Sequence, residues 1–455
     1  LTARFRNPFL WEQEIRRVPL AFALVEPEPA LASFRVSMKK PPARNVDAAA
    51  LGRARPGAKP DIYVVLIESL RSDVLTDRVM PHFSAMSRKS WTFEHPLTTG
   101  NVTHYSWYGL LCANYPIYFD VAKHDPRAQG SLPISILKQL GYRIELLATS
   151  DTAYQNLEAI VFDNQGALLD RKFHPSDKLV PERDRQVIDE LVRRVQQEPA
   201  GGRLFLVSLD STHFEYAWGA DFNPPFQPYS KGSSVTKYYQ NNPAARELLE
   251  NRYRNAAAWV DSLLGKFLGA LETSGRADKS IVIITGDHGE AFWEHGVGSH
   301  GSQLGSEQLE VAMAMRFPGE PPHHFDSVFS LLDVMPTVLY SLGYDPEGDL
   351  AMAGTPLQKR FAATPSQTLT DPGQALSFQG WNERAFSFIL TYNDKRVLLE
   401  LDQVNPLESH RLRVKQVSSV TDTECPADPS GEAGYREFLG DLPQIMKMLP
   451  FLNFE

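Results

Sequence analysis

The chain is short of cysteine, of long apolar runs and of positive charge. Its 455 residues include two cysteines, Cys112 and Cys425, too few for a disulfide scaffold and too far apart for the sequence to show whether they pair. No stretch reaches the ~18 apolar residues of a membrane span, and no signal-peptide pattern is present. With 46 Lys and Arg against 55 Asp and Glu, the net charge is −9, which argues against a nucleic-acid partner. Phosphate binding by such a chain needs a metal ion or local His and Arg side chains.

The composition that is present fits a folded α/β protein with more than one structural unit. Apolar residues make up 42% of the chain and charged residues 22%, and a chain of this length can bury a large core. Between residues 60 and 345, strand-like apolar segments alternate with helix-like segments. This alternation predicts a mostly parallel central sheet with helices on both faces.

The pattern changes from about residue 366. Residues 386–392 and 396–401 predict a β-hairpin, and residues 435–449 predict a final helix. The Pro-rich stretch before residue 60 reads as a linker. The predicted units are an N-terminal arm and linker (1–58), a main α/β domain (59–365) and a small C-terminal subdomain with an antiparallel hairpin and a helix (366–455).

One decapeptide carries the most chemistry. Residues 281–290 read IVIITGDHGE, so four β-branched apolar residues lead directly into a polar turn. This is typical of a buried parallel strand that ends at a loop. Ligands of open α/β sheets bind outside the carboxyl ends of the strands, where Asp287 and His288 can both bind a divalent metal ion. Gly286 and Gly289 permit a tight bend around such an ion, and a plain polar turn after a core strand is the alternative.

A second strand ends in the same way. Residues 61–68 read DIYVVLIE, an apolar run that ends in Glu68. Because the carboxyl ends of parallel strands meet at one edge of a sheet, we expect Glu68 to lie near Asp287 and His288.

A third stretch supplies a hydroxyl group. Residues 98–106 read TTGNVTHYS, in which a Gly-Asn turn leads to Thr103 at a predicted helix start. Free amides and the helix dipole favour an anion there. A neighbouring metal ion would lower the pKa of the Thr103 hydroxyl and make it a nucleophile. The alternative is that Thr103 only caps the helix.

In this order, Glu68, Thr103, Asp287 and His288 resemble the metal and nucleophile residues of the alkaline phosphatase superfamily. More narrowly, they resemble the branch that contains lipoteichoic acid synthase and the phosphoethanolamine transferases. The resemblance covers roughly residues 60–360. It implies that all four residues bind one metal ion and that Thr103 is also the nucleophile, in an alkaline phosphatase/sulfatase-like fold with a small antiparallel C-terminal subdomain.

The resemblance extends to three further candidates. Residues 209–214 (LDSTHF) resemble the family segment whose histidine contacts the substrate phosphate, which makes His213 a candidate. Residues 298–301 (GSHG) resemble its downstream substrate-binding histidine, so His300 is expected to contact the substrate or a second metal ion. Arg71, shortly after Glu68, is a candidate phosphate ligand, with a surface or supporting role as the alternative.

One family signature is missing. Sulfatases of this superfamily carry Cys-x-Pro-x-Arg or Ser-x-Pro-x-Arg at the nucleophile. The nearest segment here, residues 112–116 (CANYP), has the wrong spacing and lacks the arginine. The sequence therefore argues against sulfatase chemistry within a shared fold.

The resemblance also implies a cofactor and a reaction. The expected cofactor is one divalent ion, manganese rather than zinc or magnesium, with room for a second ion; oxygen and imidazole ligands suit all three metals. The implied reaction moves a phosphoglycerol or phosphoethanolamine headgroup from a phospholipid donor, through a phospho-threonine, to a glycan or lipid acceptor. Two alternatives remain open: a phosphodiesterase or sulfatase-type hydrolase, and a catalytically silent, lipid-binding regulatory protein of the same fold.

The resemblance implies a location as well. Its members place this domain outside the cytoplasm, in the periplasm or on the outer face of the membrane, behind N-terminal membrane helices. Because the chain begins at Leu1, such helices are expected upstream of it. Residues 1–25 mix arginines with aromatic residues, which suits either a membrane surface or a helix docked on the domain.

Overall fold

Two β-sheets organise the part of the chain that the computed structural model describes, which comprises residues 32–41, 46, 48–54, 59–124, 130–231, 243–346, 352–362, 374–379, 385–392, 395–402, 409–419 and 432–454. In chain order the strands are β1 (Ala32–Met38), β2 (Ile62–Ile67), β3 (Trp91–Leu97), β4 (Arg143–Ala148), β5 (Arg171–Phe173), β6 (Arg203–Leu209), β7 (Ile281–Gly286), β8 (Ala291–Phe292), β9 (Gly298–Ser299), β10 (Met313–Arg316), β11 (His323–Ser330), β12 (Gln374–Phe378), β13 (Ala385–Tyr392), β14 (Lys395–Asp402), β15 (Ser409–Ser419) and β16 (Leu452–Phe454). The α-helices are α1 (Ala48–Arg53), α2 (Pro81–Ser87), α3 (Thr103–Cys112), α4 (Phe119–His124), α5 (Leu132–Gln139), α6 (Leu157–Phe162), α7 (Val180–Gln197), α8 (Pro243–Thr273), α9 (Ser306–Leu309), α10 (Val334–Ser341), α11 (Leu357–Ala362) and α12 (Glu432–Met448).

Within the described residues, eight strands form the larger sheet in the order β11-β3-β10-β7-β2-β6-β4-β5. Neighbouring strands run parallel except at β10, which is antiparallel to both β7 and β3. Every residue of β2, β6 and β7 is buried, as expected for apolar strands at the centre of a sheet covered on both faces. The mostly parallel sheet predicted from the sequence is confirmed.

Side chains that alternate along each strand divide the interior into two cores. The even-numbered residues of β2 belong to an apolar cluster that includes side chains of α3, α5 and α10. Its odd-numbered residues belong to a second cluster, with side chains of α2, α7 and α8. Helices therefore cover both faces of the sheet, as predicted. No described helix combines the length and the apolar content needed to cross a bilayer.

The smaller sheet has six described strands, all antiparallel, in the order β12-β13-β14-β15-β1-β16. Strands β13 and β14 are the predicted hairpin, with Phe388 opposite Leu399. Strand β1 pairs with β15, where Val36 lies opposite His410. The predicted arm is therefore corrected in part, because residues 32–38 form a strand of the C-terminal sheet. Residues 1–31 and Cys425 lie outside the described residues.

The smaller sheet contacts the turn that precedes α3. The Phe378 N–H donates to the carbonyl of Thr99 (2.9 Å), and the Phe378 carbonyl accepts from the Asn101 N–H (3.1 Å). The Ser377 hydroxyl donates to the Thr98 carbonyl (2.5 Å). The C-terminal sheet thereby holds the backbone that leads to Thr103.

Candidate metal centre and active site

Adjacent parallel strands bring the predicted ligands together. In the register of β2 and β7, Ile67 lies opposite Gly286, so Glu68 and Asp287 leave the sheet side by side. The Ser69 N–H donates to Asp287 Oδ1 over 2.9 Å, which ties the two strand ends together. The ligand atoms of Glu68, Asp287 and His288 all lie within 4.8 Å of one another.

The orientation of His288 suits a ligand. Its Nδ1 lies 2.9 Å from the carbonyl oxygen of Gly289, so Nδ1 carries the proton and donates it. Its Nε2 lies 3.1 Å from Glu68 Oε1 and 3.7 Å from Asp287 Oδ2. In the neutral imidazole, the nitrogen that faces both carboxylates is therefore the one with a lone pair for a metal ion.

The close turn at the end of β7 depends on glycine. A Cβ at Gly286 would lie 2.3 Å from the Leu70 carbonyl oxygen, and one at Gly289 would lie 2.1 Å from the carbonyl oxygen of Glu307. Neither contact is sterically tolerable. The two glycines predicted to permit a tight bend are thus needed for close approach of neighbouring backbone.

Thr103 begins α3 with its hydroxyl facing the cluster. The hydroxyl lies 3.3 and 3.2 Å from the two carboxylate oxygens of Glu68. The helix N-cap is Val102, which is extended and provides no side-chain cap, so Thr103 is the first helical residue and not the cap. Thr103 is partly exposed, while Glu68, Asp287 and His288 are buried. The Ser69 hydroxyl also contacts Glu68 but is buried, so Thr103 carries the hydroxyl that a substrate can reach.

Two further hydroxyls hold the backbone of the cluster. Thr98 Oγ1 and Ser106 Oγ both donate to the carbonyl oxygen of Asp287, each over 2.5 Å. On the other side, the Tyr253 hydroxyl donates to the Ser69 carbonyl over 2.6 Å. Both strand ends are thus fixed from neighbouring elements.

Burial and close charges shift the titration of the cluster strongly. Burial would raise the pKa of Glu68, but the positive charge of His288 holds that pKa well below its usual range. Burial, with the negative charge of Glu68, raises the pKa of Asp287 to about 8. Burial opposes a charged His288, yet Asp287 and Glu68 raise its pKa to about 10. Asp287 and His288 are therefore protonated around neutral pH in the metal-free protein. A bound cation would replace these protons and balance the negative charge of the carboxylates.

The donor set fits a divalent metal ion. Among the described residues, Asp287 Oδ2 is buried without a hydrogen-bond partner, and His288 Nε2 faces the carboxylates of Glu68 and Asp287. Buried polar atoms are rarely left unpartnered unless an ion or a ligand completes them. Two carboxylates, one imidazole and a hydroxyl suit manganese, zinc or magnesium and give no preference for copper or an iron–sulfur cluster.

His213 and His300 lie in the same site. Ligand atoms of Glu68, His213 and His300 form a second cluster within 4.8 Å. The His300 ring lies 5.3 Å from that of His213 and 4.4 Å from that of His288, measured between centroids. The structure thus brings together six of the seven residues singled out from the sequence.

Arg71 is the exception. Its guanidinium pairs with Glu294 at 2.6 Å and Asp73 at 2.7 Å, and its Nη1 also donates to the Glu290 carbonyl at 2.9 Å. The planar group lies over the Phe292 ring and does not line the cavity beside Thr103. Its charge is matched by carboxylates, so the structure gives Arg71 the supporting role, in which it holds the loop after β7.

A cavity of about 560 Å³ opens at Thr103 and extends along the carboxyl edge of the sheet. Glu68, Thr103, His213 and His300 belong to its lining. The rest of the lining is partly polar and partly apolar, and it includes Ser150, Asp151, Lys178 and Asp210, with Trp107, Tyr154, Leu157, Leu179 and Phe214. A polar phosphate ester with an apolar substituent fits such a lining.

Sequence reasoning missed most of these supporting residues. Ser150 and Asp151 follow a strand end and could have been found by the rule that identified Glu68. Ser106, Tyr253 and Lys178 carry no such signal, because their role depends on contacts between distant elements. Burial, together with the charge of Glu68, raises the pKa of Asp210, so this side chain is also sensitive to the charge of the site.

The sequence matches known proteins over most of the part of the chain that forms the central sheet and its helices. The Sulfatase family profile matches residues 60–344. The lipoteichoic acid synthase-like protein YvgJ of Bacillus subtilis is 22% identical over 321 residues, which span 64% of this chain and 48% of YvgJ. The inner membrane protein YejM of Salmonella typhimurium is 23% identical over 297 residues, spanning 63% of this chain and 42% of YejM. The aligned part thus spans less than half the length of these curated relatives.

Solved structures share the fold. The phosphonate monoester hydrolase of Agrobacterium radiobacter superposes with a TM-score of 0.63 at 14% identity, covering 86% of this chain and 96% of that one. The putative sulfatase yidJ of Bacteroides fragilis gives a TM-score of 0.63 at 14% identity, covering 87% and 96%. With a family match across more than half of its length, the chain belongs to the sulfatase family.

Proposed function

We propose that this protein is a metal-dependent phosphotransferase that moves a phosphoglycerol or phosphoethanolamine headgroup from a phospholipid through a phospho-threonine at Thr103. One observation carries the proposal. The Thr103 hydroxyl lies 3.2 Å from a Glu68 carboxylate whose other oxygen is 3.1 Å from His288 Nε2. A reachable hydroxyl at a helix start, held against a metal-type cluster, is the arrangement that an activated nucleophile needs.

The chemistry divides between the ion and the chain. A divalent ion held by Glu68, Asp287, His288 and the Thr103 oxygen, manganese by preference, would lower the hydroxyl pKa and offset phosphate charge. Thr103 Oγ1 gives up its proton and forms a bond to phosphorus as the bond from phosphorus to the diacylglycerol oxygen breaks in line, and that oxygen takes up a proton. The hydroxyl of an acceptor alcohol then gives up its proton and attacks the same phosphorus, the bond from phosphorus to Thr103 Oγ1 breaks, and Oγ1 takes up a proton.

His213 and His300 are assigned to the phosphate in this scheme. Both line the cavity beside Thr103, and imidazole can donate to a phosphate oxygen or move a proton near neutral pH. Their proximity to Glu68 also suits a second metal ion. The positive end of the helix dipole at the start of α3, which begins at Thr103, favours the same negatively charged group.

The proposed partners follow from the relatives. A lipoteichoic acid synthase-like protein and an inner membrane protein support a phospholipid donor and a glycan or lipid acceptor. The same relatives support an extracytoplasmic site of action with a membrane anchor upstream of this chain. The apolar side chains Trp107, Tyr154 and Leu179 in the cavity lining suit the apolar part of a lipid.

A hydrolase that uses water as acceptor is the second candidate. The similarity to sulfatases and to a phosphonate monoester hydrolase favours it. Sulfatase chemistry itself receives less support, because a threonine stands at the nucleophile position and the Cys-x-Pro-x-Arg pattern is absent. A silent regulatory protein is disfavoured, because Glu68, Thr103, Asp287 and His288 are all present and lie together.

Turnover of phosphatidylglycerol and phosphatidylethanolamine analogues with a fluorescent tail tests the proposal. Release of labelled diacylglycerol should require manganese, and Thr103→Ala should lower it about 10³-fold or more while the protein stays folded. Thr92→Ala is the control, because Thr92 lies at the other end of β3, where its hydroxyl contacts His324 of the neighbouring strand β11. Retained turnover in Thr103→Ala would refute the nucleophile. Products formed with and without added alcohols separate a transferase from a hydrolase.

A further inference from the structure

Glu290 is a buried carboxylate that the proposed chemistry does not use. It follows Gly289 in the loop after β7 and is 0% exposed. Its Oε2 lies 2.8 Å from His300 Nδ1, and its Oε1 has no hydrogen-bond partner among the described residues. Burial of a carboxylate with one oxygen unpartnered costs free energy, which an interaction of this side chain must offset.

The conformation of the loop does not depend on the Glu290 carboxylate. The backbone around Glu290 is already held, because its N–H donates to the Glu307 carbonyl over 2.8 Å and its own carbonyl accepts from Arg71 over 2.9 Å. These bonds use main-chain atoms of residue 290 and would persist with another side chain. The carboxylate itself contacts His300.

The contact determines which nitrogen of His300 faces the site. A carboxylate can only accept, so His300 Nδ1 carries the proton and donates it to Glu290. Nε2 is then left available beside Glu68 and His213, with which His300 forms the second cluster. The ring lies in the cavity wall, and its centroid is 5.3 Å from that of His213 and 4.4 Å from that of His288.

We infer that Glu290 is a positioning residue that fixes the tautomer and the ring orientation of His300, so that Nε2 is presented to the phosphate or to a metal ion beside Glu68. The inference rests on the proposed function of the site. Glu290 acts only through His300 and does not line the cavity, so it makes no contact of its own with the substrate. Carboxylates that orient a functional histidine in this way typically change activity or metal affinity by about 10- to 100-fold when removed.

Three variants separate this role from a structural one. Glu290→Ala removes the acceptor, whereas Glu290→Gln keeps an amide oxygen that can accept from Nδ1. Glu294→Gln is the matched control, because it removes a carboxylate of the same loop that pairs with Arg71. The assay uses manganese-loaded enzyme and a generic phosphodiester substrate such as bis(p-nitrophenyl) phosphate. We expect Glu290→Ala to lower kcat/KM about 10- to 100-fold and Glu290→Gln to retain most of the wild-type kcat/KM.

A double-mutant cycle provides a sharper readout. If Glu290 acts through His300, the double variant Glu290→Ala/His300→Ala should be no slower than His300→Ala alone. Losses that multiply would overturn the inference. So would a Glu290→Gln variant as slow as Glu290→Ala.

The tautomer can be measured without turnover. Long-range ¹H–¹⁵N NMR of metal-free, histidine-labelled protein at alkaline pH should show His300 protonated at Nδ1 in the wild type and in Glu294→Gln, with the signal assigned by its loss in His300→Gln. Glu290→Ala should give a mixture or the other tautomer, and an unchanged signal would refute the inference. Because this readout needs neither metal nor substrate, failure of the proposed reaction and failure of this inference are distinguishable.

Discussion

His288 shows how a single side chain comes to face the site. In a regular strand, successive side chains point to opposite faces, so Asp287 and His288 could not bind the same metal ion. The chain leaves β7 at Gly286, and the turn that follows lets both side chains reach Glu68. The residue types and strand ends could be predicted from sequence. The hydrogen bond of His288 to the Gly289 carbonyl, which selects the ligand nitrogen, could not, because it depends on the turn geometry.

The same cluster predicts how stability of the metal-free protein depends on pH. His288 has a pKa of about 10 against an ordinary 6.5, so it contributes stability that is complete below pH 6.5 and is lost as pH rises through 10. Asp287, raised from 3.8 to about 8, changes in the same direction and loses its contribution as pH rises through 8. The lowered pKa of Glu68 matters only below its ordinary 4.5, outside this window.

We therefore expect the Tm of chelator-treated protein to fall between pH 7 and pH 10. The variant Asp287→Asn/His288→Gln should show a flatter profile over this range, and saturating manganese should flatten that of the wild type, because the ion replaces the protons. Thermal unfolding followed by circular dichroism measures all three. A metal-free wild type with a flat profile would contradict the assigned charges.

At the scale of elements, the turn after β7 is the least tolerant part of the site. A Cβ at Gly286 would approach the Leu70 carbonyl oxygen to 2.3 Å, which forces β7 and the turn after β2 apart. We expect Gly286→Ala to lower the free energy of unfolding by about 1–3 kcal/mol and to weaken manganese binding. Gly269→Ala in α8 is the control, because no atom lies within 4 Å of its Cβ, and it should be neutral or stabilising by up to ~1 kcal/mol. Urea denaturation of both variants measures the difference, and equal effects would argue against a steric constraint at the turn.

Elements differ in how far the sequence predicts them. The apolar runs of β2, β6 and β7 and the long helix α8 are local patterns, and the structure confirms them. The position of the Arg71 guanidinium group, in contrast, does not depend on the neighbouring sequence alone. The left-handed backbone at Ser69 (φ 56°) redirects the chain after Glu68, and Glu294 then captures the guanidinium from a loop that is adjacent only in the folded state. Proximity to Glu68 in the sequence therefore makes Arg71 a candidate for the phosphate or for a supporting role, and it does not distinguish the two.

At the scale of the whole molecule, the smaller sheet joins the two ends of the described chain. Strand β1 lies between β15 and β16, so residues 32–38 complete a sheet formed otherwise by C-terminal strands. Only Val36 in β1 is fully buried, and this leaves a weak apolar pattern that did not distinguish a strand from a linker. The central sheet could be predicted because each strand carries its own signal, whereas this pairing depends on a distant partner.

Arg396 links the smaller sheet to the segment that precedes β10 of the larger sheet. Its guanidinium pairs with Glu310 at 2.8 Å and also contacts the Ser306 hydroxyl, and its side chain is 7% exposed. Glu310 in turn forms a backbone bridge with Leu97, directly before the turn that leads to Thr103. Arg396→Met should therefore lower the free energy of unfolding by about 1–3 kcal/mol, less than for a fully buried pair because Glu310 keeps 19% exposure.

The neighbouring Lys395 offers a matched control. Its pair with Asp441 is more exposed, at 20% and 29%, so Lys395→Met should cost less than about 1 kcal/mol. If the smaller sheet positions the turn before α3, Arg396→Met should also lower kcat at temperatures where it remains folded, while Lys395→Met should leave kcat unchanged. Urea denaturation and turnover of the same two variants measure both effects. A loss of stability in Arg396→Met without any loss of kcat would mean that the smaller sheet stabilises the molecule but does not position Thr103.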